Sequence, residues 1–122
     1  MVRPQDEFPL LDEYRKHFEI TPETIFALYP DIYSNYQLTS DLLVHENTHL
    51  TQQQKYGIME WVREYLDEPQ KRLSYELEAY RNQIKSVADR NKAFQLKLHC
   101  AEVLASALYG NIISKPEAFK ML

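Results

Sequence analysis

The segment "LTSDLLVHENTHLTQQQKYG", residues 38 to 57, limits the folds open to this chain more than any other stretch. Ser40 is a favourable N-cap and Asp41 puts negative charge in the first turn. Gly57 suits the left-handed conformation that closes a helix. A helix from Ser40 to Tyr56 is therefore expected. At 100° per residue, Glu46, His49 and Gln53 fall within about 40° of Leu42, with Tyr56 on one edge of that face and Leu43 and Leu50 on the other. His45 stands one turn before His49 and shares its side of the helix. Ionisable groups thus occupy the face that the helix would bury, which is costly unless they are paired or bound to a metal. Any fold that contains this helix must bring partners for them from elsewhere in the chain.

Most of the remaining pattern is also helical. Residues 10 to 18 read as a short helix, "IMEWVREYL" as another, Pro69 opens a third that runs to Arg90, and a fourth extends from about Asn91 to Tyr109. Between the first helix and Ser40, the β-branched and aromatic runs Thr24 to Tyr29 and Ile32 to Tyr36 flank the turn signal Pro30-Asp31, which predicts a β-hairpin. The expectation is an α+β fold, mainly α, in a single domain over residues 1–122, a length that allows one core.

Charge and composition narrow the function classes. A formal charge of −4 argues against a nucleic-acid partner. Cys100 is the only cysteine, so neither an intrachain disulfide nor a cysteine-based zinc cluster is expected. No apolar run approaches the roughly 18 residues of a membrane span, and the N-terminus has no hydrophobic signal core. The simplest expectation is a soluble, cytoplasmic protein.

His45 and His49, four apart, can offer two ring nitrogens to one ion, with Glu46 beside them. Catalytic zinc ordinarily has three protein ligands and an open fourth position. The extended pattern HExxHxxGxxH cannot supply the third, because Gln52 and Lys55 stand where it requires glycine and histidine. His99 lies on a distant helix. "RLSYELEAYRNQ" offers Glu76 and Glu78, and helix register separates them. Leu73, Leu77, Tyr80, Ile84 and Val87 form an apolar stripe. Glu76 borders it at roughly 60° from its centre, whereas Glu78 lies roughly 140° away on the solvent side. Glu76 is the expected third ligand.

"HENTH" followed by "ELEAY" resembles the gluzincin zinc metallopeptidases, whose third ligand is a glutamate on a second helix. The Glu76-to-Ala79 spacing is similar to that of the CAAX-protease and heat-shock membrane peptidases, although those continue with aspartate where this chain has Tyr80. The resemblance covers about residues 40 to 85 and is nearest to minimal gluzincins. It implies a zincin-like helical core and hydrolysis of peptide or protein substrates. His45, His49 and Glu76 would hold Zn2+, and Glu46 would act as general base on the attacking water. Tyr80 would be either a core residue on its stripe or a group that hydrogen-bonds a ligand or stabilises the oxyanion. Gln53 would be a partner of the site or a packing amide, and Trp61 and Tyr65 are expected in the core. The hairpin edge could take substrate as an added strand, and the tail "NIISKPEAFKML" could lie over the site. Two other readings compete, a noncatalytic zinc-binding module and a metal-free helical interaction module. The presence of Glu46 speaks against the first.

Overall fold

The computed structural model describes residues 1–106 and 109–122. Strand β1 (Val2–Arg3) leads through a 3-10 turn at Gln5–Glu7 to helix α1 (Leu11–Arg15), then to strands β2 (Phe26–Leu28) and β3 (Asp31–Tyr33). Helices α2 (Ser40–Tyr56), α3 (Ile58–Asp67), α4 (Pro69–Lys85), α5 (Arg90–Leu104) and α6 (Lys115–Met121) complete the chain. The architecture is α+β and mainly α, as expected. Among the described residues, no helix is long and apolar enough to cross a membrane.

The hairpin forms, but its strands are shorter than the sequence suggests, and they belong to a three-stranded sheet. β3 lies in the centre, antiparallel to β2 and parallel to β1. Side-chain turns trim both strands. Thr24 Oγ1 accepts from the Thr21 amide at 3.0 Å, and Ser34 Oγ donates to the Tyr36 carbonyl at 2.9 Å. β1 is held by Ile32 and Ser34 amides donating to Met1 and Arg3 carbonyls at 3.0 and 2.8 Å.

Helix ends follow local competition for backbone groups. The first helix stops at Arg15 and tightens into 3-10-type bonds from Lys16 and His17. Thr39, not Ser40, is the cap residue of α2; it is extended, and its hydroxyl donates to Asp41 Oδ1 at 2.7 Å. Gly57 ends α2 at φ +94° and starts α3 directly, so one left-handed residue redirects the chain between two helices. Helix α4, opened by Pro69, ends at Lys85 rather than Arg90, where Ser86 Oγ bonds back to the Gln83 carbonyl at 2.6 Å. Asp89 then caps α5 by accepting from the Lys92 amide at 2.9 Å. α5 ends at Leu104, short of Tyr109, with Ser106 Oγ donating to Val103 O at 2.6 Å. Residues 107 and 108 of that expected helix lie outside the described residues.

Two apolar clusters flank α4. Phe8, Tyr14, Phe26, Tyr33, Trp61, Val62, Leu66 and Tyr75 join α1, the sheet and α3, while Leu73 and Leu77 meet Ala101, Leu104, Tyr109 and Ala118 on the other side. The tail belongs to this second cluster through Ile112, Ile113, Phe119 and Leu122, and Arg81 Nε holds the Met121 carbonyl at 2.7 Å. Residues 111–122 pack on the helices and do not line the cleft described below.

Candidate metal centre

α2 and α4 pack side by side and bring their polar faces together. His45 Nε2 lies 3.1 Å and His49 Nε2 3.0 Å from the same oxygen, Glu76 Oε1. One donor atom from each residue falls within 4.8 Å of the other two, a group able to hold a metal ion. All three side chains are buried, with Glu76 only 3% exposed, whereas Glu78 is on the surface. The register argument for Glu76 over Glu78 agrees with this placement.

Hydrogen bonds identify which nitrogen of each imidazole carries a proton. Gln83 Nε2 donates to Asp41 Oδ2 at 2.8 Å, and a carboxylate can only accept. Gln83 must therefore turn Oε1 toward His45 Nδ1, 3.0 Å away, and that nitrogen is the donor. Gln52 repeats the logic. Its Nε2 donates to Tyr75 O at 3.0 Å and to Glu78 Oε1 at 2.8 Å, leaving Oε1 to accept from Trp61 Nε1 and from His49 Nδ1, both at 3.0 Å. With Nδ1 protonated, each neutral imidazole presents an Nε2 lone pair to Glu76.

Two imidazole nitrogens, each about 3 Å from one carboxylate oxygen, require positive charge between them and it. Protons on the imidazoles are one solution, and a divalent cation is the other. Zinc bonds of about 2.0–2.1 Å in tetrahedral geometry place ligand atoms roughly 3.3 Å apart, close to the separation of each imidazole nitrogen from Glu76 Oε1. Burial disfavours the Glu76 carboxylate, yet the two histidines hold it well below the usual range. Burial likewise opposes charge on His49, but the Glu76 carboxylate more than compensates and lifts its pKa to about 9.

Glu46 stands beside this group. Its Oε2 is 3.9 Å from His45 Nε2, and it is not among the three residues whose donor atoms converge. Burial pushes its carboxyl up, with Glu76 adding repulsion against the attraction of both histidines. A cleft of about 360 Å³ opens over His45, Glu46, His49 and Glu76. The segment from Phe18 to Ala27 forms one wall, and Leu96, Cys100 and Val103 of α5 form another.

The remaining expectations resolve individually. The Tyr80 ring lies edge-on to His45 at 4.4 Å, and its hydroxyl pairs with that of Tyr109 at 3.2 Å; both tyrosines line the cleft. His99 lines the cleft but is not among the three donors. Gln53 is fully buried and joins helix to sheet, accepting from the Tyr29 amide at 2.7 Å and donating to Ala27 O at 2.9 Å. It thereby occupies part of the β2 edge, and any added strand is limited to the residues before Ala27. Trp61 is core, as expected, but it also touches the site, edge-on to His49 at 5.3 Å. Tyr65, expected only as core, donates its hydroxyl to Glu76 Oε2.

Gln52, Gln83 and Tyr65 are the site residues that sequence reasoning missed. Gln83 follows Glu76 by seven residues, two turns along the same face, and that spacing was the available signal. No protein-family model, curated protein or solved structure matches this chain.

Proposed function

We propose that the protein is a zinc-dependent peptidase in which His45, His49 and Glu76 hold the ion and Glu46 is the general base. One observation carries the reading. A buried His-His-Glu donor set has a second carboxylate, Glu46, at its side, 3.9 Å from the His45 nitrogen and lining an open cleft. Two imidazoles and a carboxylate suit zinc, which in such a site polarises a carbonyl and acidifies water. Glu46 would take the proton of the attacking water and deliver it to the leaving amine. Gln52 and Gln83 fix the imidazoles so that Nε2 of each faces the ion. Tyr80, which lines the cleft with its ring against His45, would donate to the oxygen that gains charge during attack.

A noncatalytic zinc module would need the three ligands but not Glu46. Comparing wild type with Glu46→Gln on an unstructured peptide mixture separates the two. The peptidase reading predicts that the variant keeps its zinc and its fold and loses hydrolysis by about 10²- to 10⁴-fold. Equal hydrolysis by both proteins, or zinc-loaded wild type that cleaves nothing, would overturn it.

A further inference from the structure

The Glu76 carboxylate divides its two oxygens between different neighbours. Oε1 faces both imidazoles, 3.1 Å from His45 Nε2 and 3.0 Å from His49 Nε2, and Oε2 accepts a hydrogen bond from the Tyr65 hydroxyl. A carboxylate is free to bind a cation through one oxygen or through both, and the choice changes the coordination number. We infer that Tyr65 is a positioning residue that holds Glu76 to one-oxygen binding and so keeps a fourth position open toward the cleft. The inference rests on the metal-binding part of the proposed function, not on its peptidase part.

Tyr65 is itself firmly placed. Its ring stacks on Trp61, centroid to centroid 4.8 Å with 15° between planes, and lies 6.3 Å from Tyr14 at 18°. Trp61 and Tyr65 are four apart on α3 and share a face. Trp61 Nε1 donates to Gln52 Oε1, the same amide oxygen that orients His49. The last turn of α3 is secured as well, since Arg72 Nη1 donates to the Tyr65 carbonyl at 2.8 Å. One network, Gln52 to Trp61 to Tyr65 to Glu76, therefore orients two of the three ligands. α3 supplies no ligand, yet it governs how ligands from α2 and α4 present their atoms. A phenol that served packing alone would need only its ring. Here its single O–H donor is directed at the one ligand oxygen that must stay off the ion.

Tyr65→Phe removes that donor and keeps the ring. The readout is the visible absorption of the cobalt(II)-substituted protein, because four-coordinate tetrahedral cobalt absorbs much more strongly than five-coordinate cobalt. Wild type should give the intense tetrahedral spectrum. The variant should give a weaker, shifted spectrum as Oε2 swings onto the ion, with a zinc affinity about 10- to 100-fold lower. The metal-free form should still fold, with a lower thermal unfolding midpoint because buried Glu76 Oε2 loses its hydrogen bond. An identical spectrum and affinity in the variant would overturn the positioning role and leave the metal site standing. Wild type that takes up no cobalt would overturn the metal site itself. Should the variant fail to fold, X-ray absorption on the wild-type cobalt form decides: two Glu76 oxygens at bonding distance contradict the inference, and one supports it.

Discussion

Two glutamine amides determine which nitrogen of each histidine faces Glu76. Gln83 joins Asp41 to His45, and Gln52 joins Trp61 and Tyr75 to His49. A backbone or carboxylate acceptor is the more familiar partner for a ligating imidazole, and an amide oxygen does the same work without adding charge. Gln83→Leu keeps the volume but leaves the His45 Nδ1–H and the Asp41 carboxylate without their shared partner. Zinc affinity is expected to fall about 10- to 100-fold, as measured by competition with a chromophoric chelator. An unchanged affinity would show that the amide does not orient the ligand. At this scale the convergence of His45, His49 and Glu76 was legible in the sequence, because a spacing of four and a helix register put them on facing buried sides before any packing is known. The amides and Tyr65 were not legible. Their roles depend on how α2, α3 and α4 cross, and no spacing within one helix records that.

At the scale of elements, Gln53 is the tie between the sheet and α2. Its amide spans Ala27 O and the Tyr29 amide from a fully buried position, so the hairpin that walls the cleft is fixed to the helix that carries both histidines. Gln53→Ala removes both bonds and leaves the buried Ala27 carbonyl without its partner. A loss of about 1–3 kcal/mol is expected, read as a lower urea midpoint with an unchanged slope. A midpoint equal to that of wild type would mean that other contacts hold the sheet. Element boundaries were partly legible. Gly57 and Pro69 marked the ends they occupy, because a left-handed residue and a ring-closed first turn are local requirements. Ser86 and Ser106 ended helices earlier than the apolar pattern implied, since each hydroxyl bonds back to a carbonyl three residues before it. Strand β1, two residues long, is too short for any alternation to reveal.

For the molecule as a whole, α4 is buried on both sides, apolar toward α5 and α6 and polar toward α2. This arrangement explains why one helix carries both an apolar stripe and a buried glutamate. The tail, which could have covered the site, instead supplies Ile112, Ile113, Ala118, Phe119 and Leu122 to the second cluster. Removing residues 111–122 would expose that cluster rather than uncover the cleft. The cleft lies open over the donor set, and its walls come from the 18–27 segment and α5 rather than from a separate covering subdomain. Under the proposed function, such a site would favour extended, unfolded peptides over folded proteins.

The proposed function depends on a three-ligand zinc site built from His45, His49 and Glu76. Metal content by mass spectrometry tests it most directly, on protein purified without chelator and alongside Glu76→Gln. Close to one zinc per wild-type chain is expected, with a clear loss in the variant, which keeps the side-chain volume but lacks the anionic ligand. Wild-type protein that holds no zinc, even after zinc is added back, would contradict it.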